Sequence, residues 1–251
     1  MSSLRRQFTG TAVRAVRVLE VDPDLGAGID QAQWPVAVRM ATAPAFEFQR
    51  GPWGFSPPPD PASFGALVLD GMLMIRIDAG TRAHIELLGE GDVISPWAGS
   101  GAELAVPTEV TASVVADSRV ALLDRGFALR TARWPEIHAA LIRRLIARSR
   151  RLSLQSAVNA LSRIDERLEL TLWELASRFG RVTTEGVVVE LPTTHSQLAE
   201  MVAAQRPSVS TAVARLQASG RVARTARHRW LLKGEPPATL AALARQTGLR
   251  A

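Results

Sequence analysis

The sequence predicts a mixed α+β chain: a β-rich N-terminal half, one long helix, and a C-terminal group of short helices closed by a two-stranded wing. Three observations predict it. From about residue 14 to residue 123, short apolar stretches are interrupted at close intervals by Gly, Pro and Asp, without helical periodicity. After Trp134-Pro135 comes a breaker-free run with an apolar stripe near 3.6 residues. The charge then changes sign along the chain: residues 1–130 carry a net −4, residues 131–180 a net +4 and residues 181–251 a net +6.

Composition sets the outer limits. The chain has 251 residues, 47% of them hydrophobic, enough for one large or two ordinary cores. Its longest stretch free of Asp, Glu, Lys and Arg is Leu152 to Ser162, well short of the roughly 20 apolar residues that span a bilayer. No membrane association is expected. The opening M-S-S-L-R-R-Q-F-T-G is not followed by an apolar run of signal-peptide length, so a cytoplasmic location is expected. With no cysteine, disulfides, thiolate metal sites and cysteine nucleophiles are excluded.

In the β-rich half the expected strands are residues 66–69 and 72–77 around a tight turn at Asp70-Gly71, then 84–88, 110–115 and 120–123. Residues 43–62 contain Pro44, Pro52, Pro57, Pro58, Pro59 and Pro61 and read as an irregular loop. The long helix begins at Pro135, a residue tolerated at a helix start. Ile137, Leu141, Leu145 and Leu152 form its stripe, broadened by Ile142 and Ile146; such a stripe packs either on its own domain or against the same helix of a second copy, and the second is the expectation. Its five arginines, at 143, 144, 148, 150 and 151, read as a solvated face.

S-R-I-D at Ser162 has the form of a capping box opening a second helix, with Ile164, Leu168, Leu172 and Leu175 as its apolar pattern and Phe179-Gly180 as its end. A hairpin through T-T-E-G into Val187-Val188-Val189 follows. In T-H-S-Q, Thr194 caps a helix from about His195 to Val202, with Gln197 closing the box. After a short turn, Arg206-Pro207 starts another helix, in which Val209, Val213 and Leu216 face inward and which Gly220 ends. Two short helices so joined form a helix-turn-helix. The run R-V-A-R-T-A-R-H-R-W-L-L-K then folds as a wing anchored by Val222, Trp230 and Leu232, with Arg221, Arg224, Arg227, His228 and Arg229 crowding it.

The chemistry of this segment suits duplex DNA: a helix narrow enough for the major groove, a helix start whose amides favour phosphate, and a basic wing alongside. The expected exposed residues of the second helix are Arg206, Ser208, Ser210, Thr211 and Arg215. The four histidines, at 84, 138, 195 and 228, fall in four different segments outside any H-x-H or H-E-x-x-H pattern, so no metal, cofactor or enzymatic activity is expected. The rival readings are an architectural protein that binds DNA without sequence preference and, further off, a metal-dependent β-barrel enzyme.

The whole arrangement resembles the CRP/FNR family of transcription regulators. The resemblance rests on L-S-R-I-D-E-R-L-E-L-T-L-W-E-L-A, E-L-P-T-T-H-S-Q-L-A-E-M-V and R-P-S-V-S-T-A-V-A-R-L, and more weakly on F-G-A-L-V-L-D-G-M-L-M-I-R-I and L-L-G-E-G-D-V-I. It implies an N-terminal β-roll of the double-stranded β-helix (jelly-roll) type over residues 1–134, a connecting dimerisation helix over 135–160, a winged helix-turn-helix over 161–234 and a tail over 235–251. It also implies a homodimer on a palindromic operator. RNA polymerase and a small-molecule effector are further candidate partners.

Carried over residue by residue, Arg206 matches the family's guanine-reading arginine, Thr194 a residue that contacts the DNA backbone, and His195 a position often basic. Pro207 stands where the family usually has Glu, and Thr211 where it has the arginine one turn later, so two of three usual base contacts are missing. The ligand cassette of the family falls on Gly91, Asp92 and Trp97, and its phosphate-binding Arg-Ser pair on Thr108-Glu109. A glutamate there repels a cyclic phosphate, so cyclic AMP and cyclic GMP are not expected ligands. Two readings of the N-terminal half stay open: a sensor for something else near Trp97, or a dimerisation scaffold.

Overall fold

A computed structural model describes residues 11–53, 60, 62–80, 82–94, 109–226 and 228–240. The chain divides into two compact units, one of residues 1–76 with 87–148, the other of residues 77–86 with 149–251.

The β-rich half forms one seven-stranded sheet. Its strands are β1 (Thr11–Arg17), β2 (Thr42–Phe48), β3 (Gly51–Pro52), β4 (Gly65–Ala79), β5 (Arg82–Gly89), β6 (Val93–Ile94) and β7 (Glu109–Leu123). The order is β1-β2-β7-β4-β5, with β3 on β7 and β6 on β4. Between β1 and β2 come α1 (Val18–Val21), a 3-10 turn (Pro23–Gly26) and α2 (Trp34–Met40). The sequence reading, which placed no helix before Trp134, missed these. Proline at the second position of α2 supports a helix start, but the helix is too short to declare a period.

Two further expectations are corrected. Residues 43–62 are not one irregular loop, because Thr42–Phe48 is an inner strand of the sheet between β1 and β7. Pro44 lies where the β1–β2 register slips: Val13 faces Ala45 and Val16 faces Ala43. A bulge there accommodates a residue with no N–H to give. Nor does Asp70-Gly71 turn the chain, for β4 runs straight through it. Gly71 has φ +88°, and a Cβ on it would lie 2.2 Å from the Asp117 carbonyl oxygen and 2.6 Å from Ser118 Cα. The glycine permits β7 to approach closely; β7 likewise merges the two strands expected at 110–115 and 120–123.

Asp124 caps α3 (Arg125–Thr131), accepting from the Phe127 amide at 2.8 Å. The start of α4 (Pro135–Asn159) follows, and Phe127, Trp134, Ile137 and Leu141 are wholly buried with Leu67 and Leu123 in the core of this unit. Arg144, expected on a solvated face, is instead bound by Asp22 through both terminal nitrogens, one at 2.7 Å, and reaches the Gly91 carbonyl at 3.2 Å.

The second unit contains the end of α4, α5 (Ile164–Phe179), β8 (Gly180–Thr183), β9 (Gly186–Glu190), α6 (His195–Met201), α7 (Arg206–Ala218), β10 (Val222–Ala226) and β11 (Arg229–Leu232). The four strands form an antiparallel sheet in the order β10-β11-β9-β8, with Trp230 opposite Val189 and Arg224 opposite Trp230. Leu168, Leu172, Val209, Val213, Leu216, Val222, Trp230 and Leu232 are buried. The capping box expected at Ser162 is not formed: Arg163 is the N-cap residue without a side-chain bond, and its guanidinium takes Asp165 at 2.6 Å. That ion pair consumes the carboxylate that would have closed the box.

Candidate nucleic-acid interface

Thr194 opens α6 through a complete capping box. Its hydroxyl oxygen accepts from the Gln197 amide at 3.2 Å, while the Gln197 side-chain oxygen accepts from the Thr194 amide at 2.8 Å. Two orphan amides are thereby satisfied, and the helix start is fixed. Leu198, Ala199 and Met201 bury one face of α6. The turn passes through Ala203 at φ +50°, a conformation that larger branched side chains resist.

The carbonyls of that turn are held by side chains the sequence reading overlooked. Met201 O accepts from Gln155 Nε2 at 3.0 Å and from Asn159 Nδ2 at 3.2 Å, while Arg167 donates to Val202 O and Ala203 O, each at 3.4 Å. A Gln and an Asn four residues apart, interrupting the apolar pattern of α4, were the available signal.

Helix α7 starts at Arg206-Pro207 with Gln205 as an N-cap that makes no side-chain bond. Val209, Ala212, Val213 and Leu216 bury its inner face. Arg206, Ser210, Thr211 and Arg215 are exposed as expected, Pro207 is exposed too, and Ser208, expected exposed, is half-buried. The exposed residues do not share one face: at 100° per residue Ser210 lies above Arg206, while Arg215 is about half a turn round. There Arg215 lines a hollow of about 750 Å³ together with the carboxylates of Asp165, Glu166 and Glu169 and the guanidinium groups of Arg163 and Arg221.

On the wing, Arg224 lies with its guanidinium carbon 5.4 Å from the centre of the Trp230 ring. His195 bridges to both neighbours: Nδ1 is 3.1 Å from Ser210 Oγ and Nε2 is 3.5 Å from an Arg224 nitrogen. Burial first, then the cations Arg224 and Arg206, hold His195 below the ordinary histidine value. Arg229 gives both Nε and a terminal nitrogen to Glu190 Oε1, at 3.0 and 2.5 Å, and Arg221 turns to Glu169. Arg227 lies outside the described residues. The resulting surface presents Arg206, Arg224, His195 and the hydroxyls of Ser210 and Thr211, with the charges of Arg229 and Arg221 partly offset by acidic partners.

The residues expected to form an effector pocket are not all described: Trp97 and Thr108 lie outside. Asp92 is buried, and its carboxylate accepts the Gly89 amide at 2.9 Å, a turn-closing bond. Gly91 holds φ +82° and gives its carbonyl to Arg144; Glu109 is exposed on β7. Of the expected dimer contacts, Ile137 and Leu141 are spent in the core of the first unit and Leu145 packs against it. The large apolar residues of α4 left exposed are Ile142 (49%), Ile146 (46%) and Leu152 (36%). Among the described residues, no helix is long and apolar enough to cross a membrane, and no three His, Asp or Glu side chains converge as metal ligands.

Residues 166–236 match the family model of the Crp-like helix-turn-helix domain. The C-terminal unit carries a Crp-like helix-turn-helix domain. About four-fifths of the chain shares its fold with solved regulators. FixK2 from Bradyrhizobium japonicum aligns over 80% of this chain and 96% of its own at 17% identity and a TM-score of 0.59. A CRP/FNR family transcriptional regulator from Thermus thermophilus aligns over 80% and 98% at 21% identity and 0.57. CLP, a c-di-GMP responsive global regulator of Xanthomonas campestris, aligns over 82% and 100% at 19% identity and 0.58. No curated protein matches the chain in sequence. The fold is thus that of the CRP/FNR regulators, a cyclic-nucleotide-binding type of β-roll followed by the Crp-like domain, and the β-rich first unit accounts for the expected N-terminal roll.

Proposed function

We propose that the chain is a sequence-specific transcription regulator that binds double-stranded DNA as a homodimer through its Crp-like domain. The observation that carries this reading is the exposed Arg206 at the uncapped start of α7, flanked by Arg224 of the wing. An arginine at that place offers two parallel donors to the O6 and N7 of guanine, and the first-turn amides favour a nearby phosphate. Thr194, His195, Ser208, Ser210 and Thr211 supply shorter polar contacts, and Arg224, Arg227 and Arg229 the phosphate-directed charge. Pro207 completes the candidate surface, while Arg215, about half a turn round α7 from Arg206, falls outside it.

Ile142, Ile146 and Leu152 form the contact with a second copy, since an exposed apolar stripe on a helix is stabilised by a partner of like kind. Two copies set the spacing of two half-sites. The N-terminal roll does not hold a cyclic nucleotide, because Glu109 would oppose its phosphate and Asp92 already serves a turn. RNA polymerase and a small-molecule effector are its further candidate partners, and the cytoplasm its place of action.

In vitro selection of the purified protein on a random DNA pool, at low and at near-physiological salt, tests the reading. A palindrome with half-sites about one helical turn apart supports it. Bound DNA that stays random and is lost at the higher salt overturns it in favour of binding through phosphate alone.

A further inference from the structure

The last carbonyls of α6 and its turn are held by side chains of two other helices. Val202 donates to the Leu198 carbonyl and Ala204 to that of Ala199, which closes α6. The carbonyls of Met201, Val202 and Ala203 then belong to the orphan set of a helix C-terminus. Gln155 Nε2 and Asn159 Nδ2, both from the last turns of α4, reach Met201 O at 3.0 and 3.2 Å. Arg167 of α5 serves the other two carbonyls, its charge set at the helix end where a cation is favoured. The two amides also orient one another. Gln155 Nε2 lies 3.0 Å from Asn159 Oδ1 and 3.2 Å from Thr171 Oγ1. With its oxygen taken by Gln155, Asn159 turns its nitrogen to Met201; a reversed amide would set oxygen against oxygen there and nitrogen against nitrogen at Gln155. Met201 is buried, and Arg206 follows it by five residues.

We infer that Gln155 and Asn159 are positioning residues for DNA recognition: by holding Met201 they fix the start of α7 to the end of α4, and so confine the protein to palindromes of one half-site spacing. The inference rests on the reading of the chain as a homodimer that meets its second copy along α4 and binds a palindrome. In such a dimer each α7 is located from α4. One base pair more or less between the half-sites moves one of them by about 3.4 Å and turns it by roughly 35°. Apolar packing is non-directional and tolerates a small slide, whereas hydrogen bonds to a carbonyl hold both distance and angle. Two such bonds on the turn before α7 oppose the displacement. Neither residue reads a base, so the choice of bases within a half-site stays with α7.

Two measurements test it, both on the full-length protein. The first needs no DNA: hydrogen exchange of backbone amides, followed by NMR, in the unaltered protein and in Gln155→Leu with Asn159→Leu. The Ala204 amide, in the held turn, is expected to exchange roughly tenfold faster in the double variant. The Leu191 amide, bonded to the His228 carbonyl at 2.8 Å, is expected to keep its rate. An unchanged rate at Ala204, or equal acceleration at both amides, overturns the clasp. Should the double variant not fold, Asn159→Leu, which leaves Gln155 on Met201, carries the comparison at roughly threefold. The second measurement is a selection on duplexes that carry the preferred half-site twice with every spacer length between. The unaltered protein is expected to favour one spacing over its neighbours by about tenfold or more, and the variant by about threefold or less, with the same bases recovered within each half-site. An equally sharp spacing preference in the variant, or loss of the half-site bases along with it, overturns the inference and leaves the regulator reading standing. Failure of the unaltered protein to select any palindrome overturns that reading and the spacing claim together, while the exchange rates still decide the clasp.

Discussion

Arg221 and Glu169 tie the first residue of the wing to the middle of α5. An Arg221 terminal nitrogen lies 2.6 Å from Glu169 Oε2, and the two side chains differ sharply in surroundings: Glu169 is 9% exposed and Arg221 60%. The carboxylate, nearly enclosed, depends on the guanidinium more than the guanidinium depends on it. Arg221→Ala should accordingly lower the stability of the C-terminal unit by about 1–2 kcal/mol, since it leaves a buried acceptor unpaired. The double variant with Glu169→Leu should recover much of that loss. Urea unfolding followed by tryptophan fluorescence, with Trp173 and Trp230 in this unit, reads both.

Arg206→Ala should cost about 1–3 kcal/mol of binding to the selected palindrome and relax the preference at one position per half-site. Repeating the selection with the variant checks the second part directly. Equal weakening on palindromic and random DNA would assign Arg206 to phosphate instead.

Glu190 restrains Arg229, and the guanidinium in turn holds the Glu190 carboxyl below the usual carboxylate range through its hydrogen bonds and charge. Removing the restraint frees a cation on the wing. Glu190→Gln should therefore strengthen binding to all sequences alike and steepen the salt dependence by up to roughly one phosphate contact. Arg229→Ala should do the reverse. Fluorescence anisotropy over a salt series separates these outcomes from a base-selective change.

Charges placed at Ile142 and Ile146 should abolish self-association while leaving the fold intact, because both side chains are already exposed in the single chain. Ile142→Glu with Ile146→Glu should sediment as a monomer and bind one half-site weakly. The same substitutions at Ile137 and Leu141 should unfold the first unit, where both are wholly buried.

The histidines also set a dependence of stability on acid. Burial lowers His84, against a smaller opposing effect of Glu86, and lowers His138; both folded values lie below the ordinary 6.5. Between that value and the folded ones the unfolded chain binds more protons, so stability rises with pH there. Their contribution is complete above about pH 6.5 and is lost as the pH falls through the folded values. Replacing His84 by Asn and His138 by Gln should flatten the denaturation midpoint between about pH 7 and about pH 5.

The C-terminal helices were legible because their signals are local. The Thr194 box, Pro207 in the first turn, the inward spacing of Val209, Val213 and Leu216 and the stop at Gly220 all act within one or two turns of chain. These interactions form between near neighbours and so leave their pattern in consecutive residues. The exposure of Arg206 and the capping by Thr194 were found by that route, as was the wing through Val222, Trp230 and Leu232.

By itself, then, the sequence determined the order of the parts, the capped helix pair, the basic wing and the gathering of positive charge toward the C-terminal end. Tertiary structure alone decided the partners. Nothing near Gly71 shows that β7, some 45 residues on, must pass within reach of its missing Cβ, and nothing near Pro44 shows that an inner strand would bulge to accept it. Arg144 meets Asp22 across 122 residues of chain, and Arg229 meets Glu190 across 39. Such pairings depend on which strands and helices come to lie side by side, a choice made by burying the whole apolar surface at once. A charge or a glycine in isolation carries no record of it.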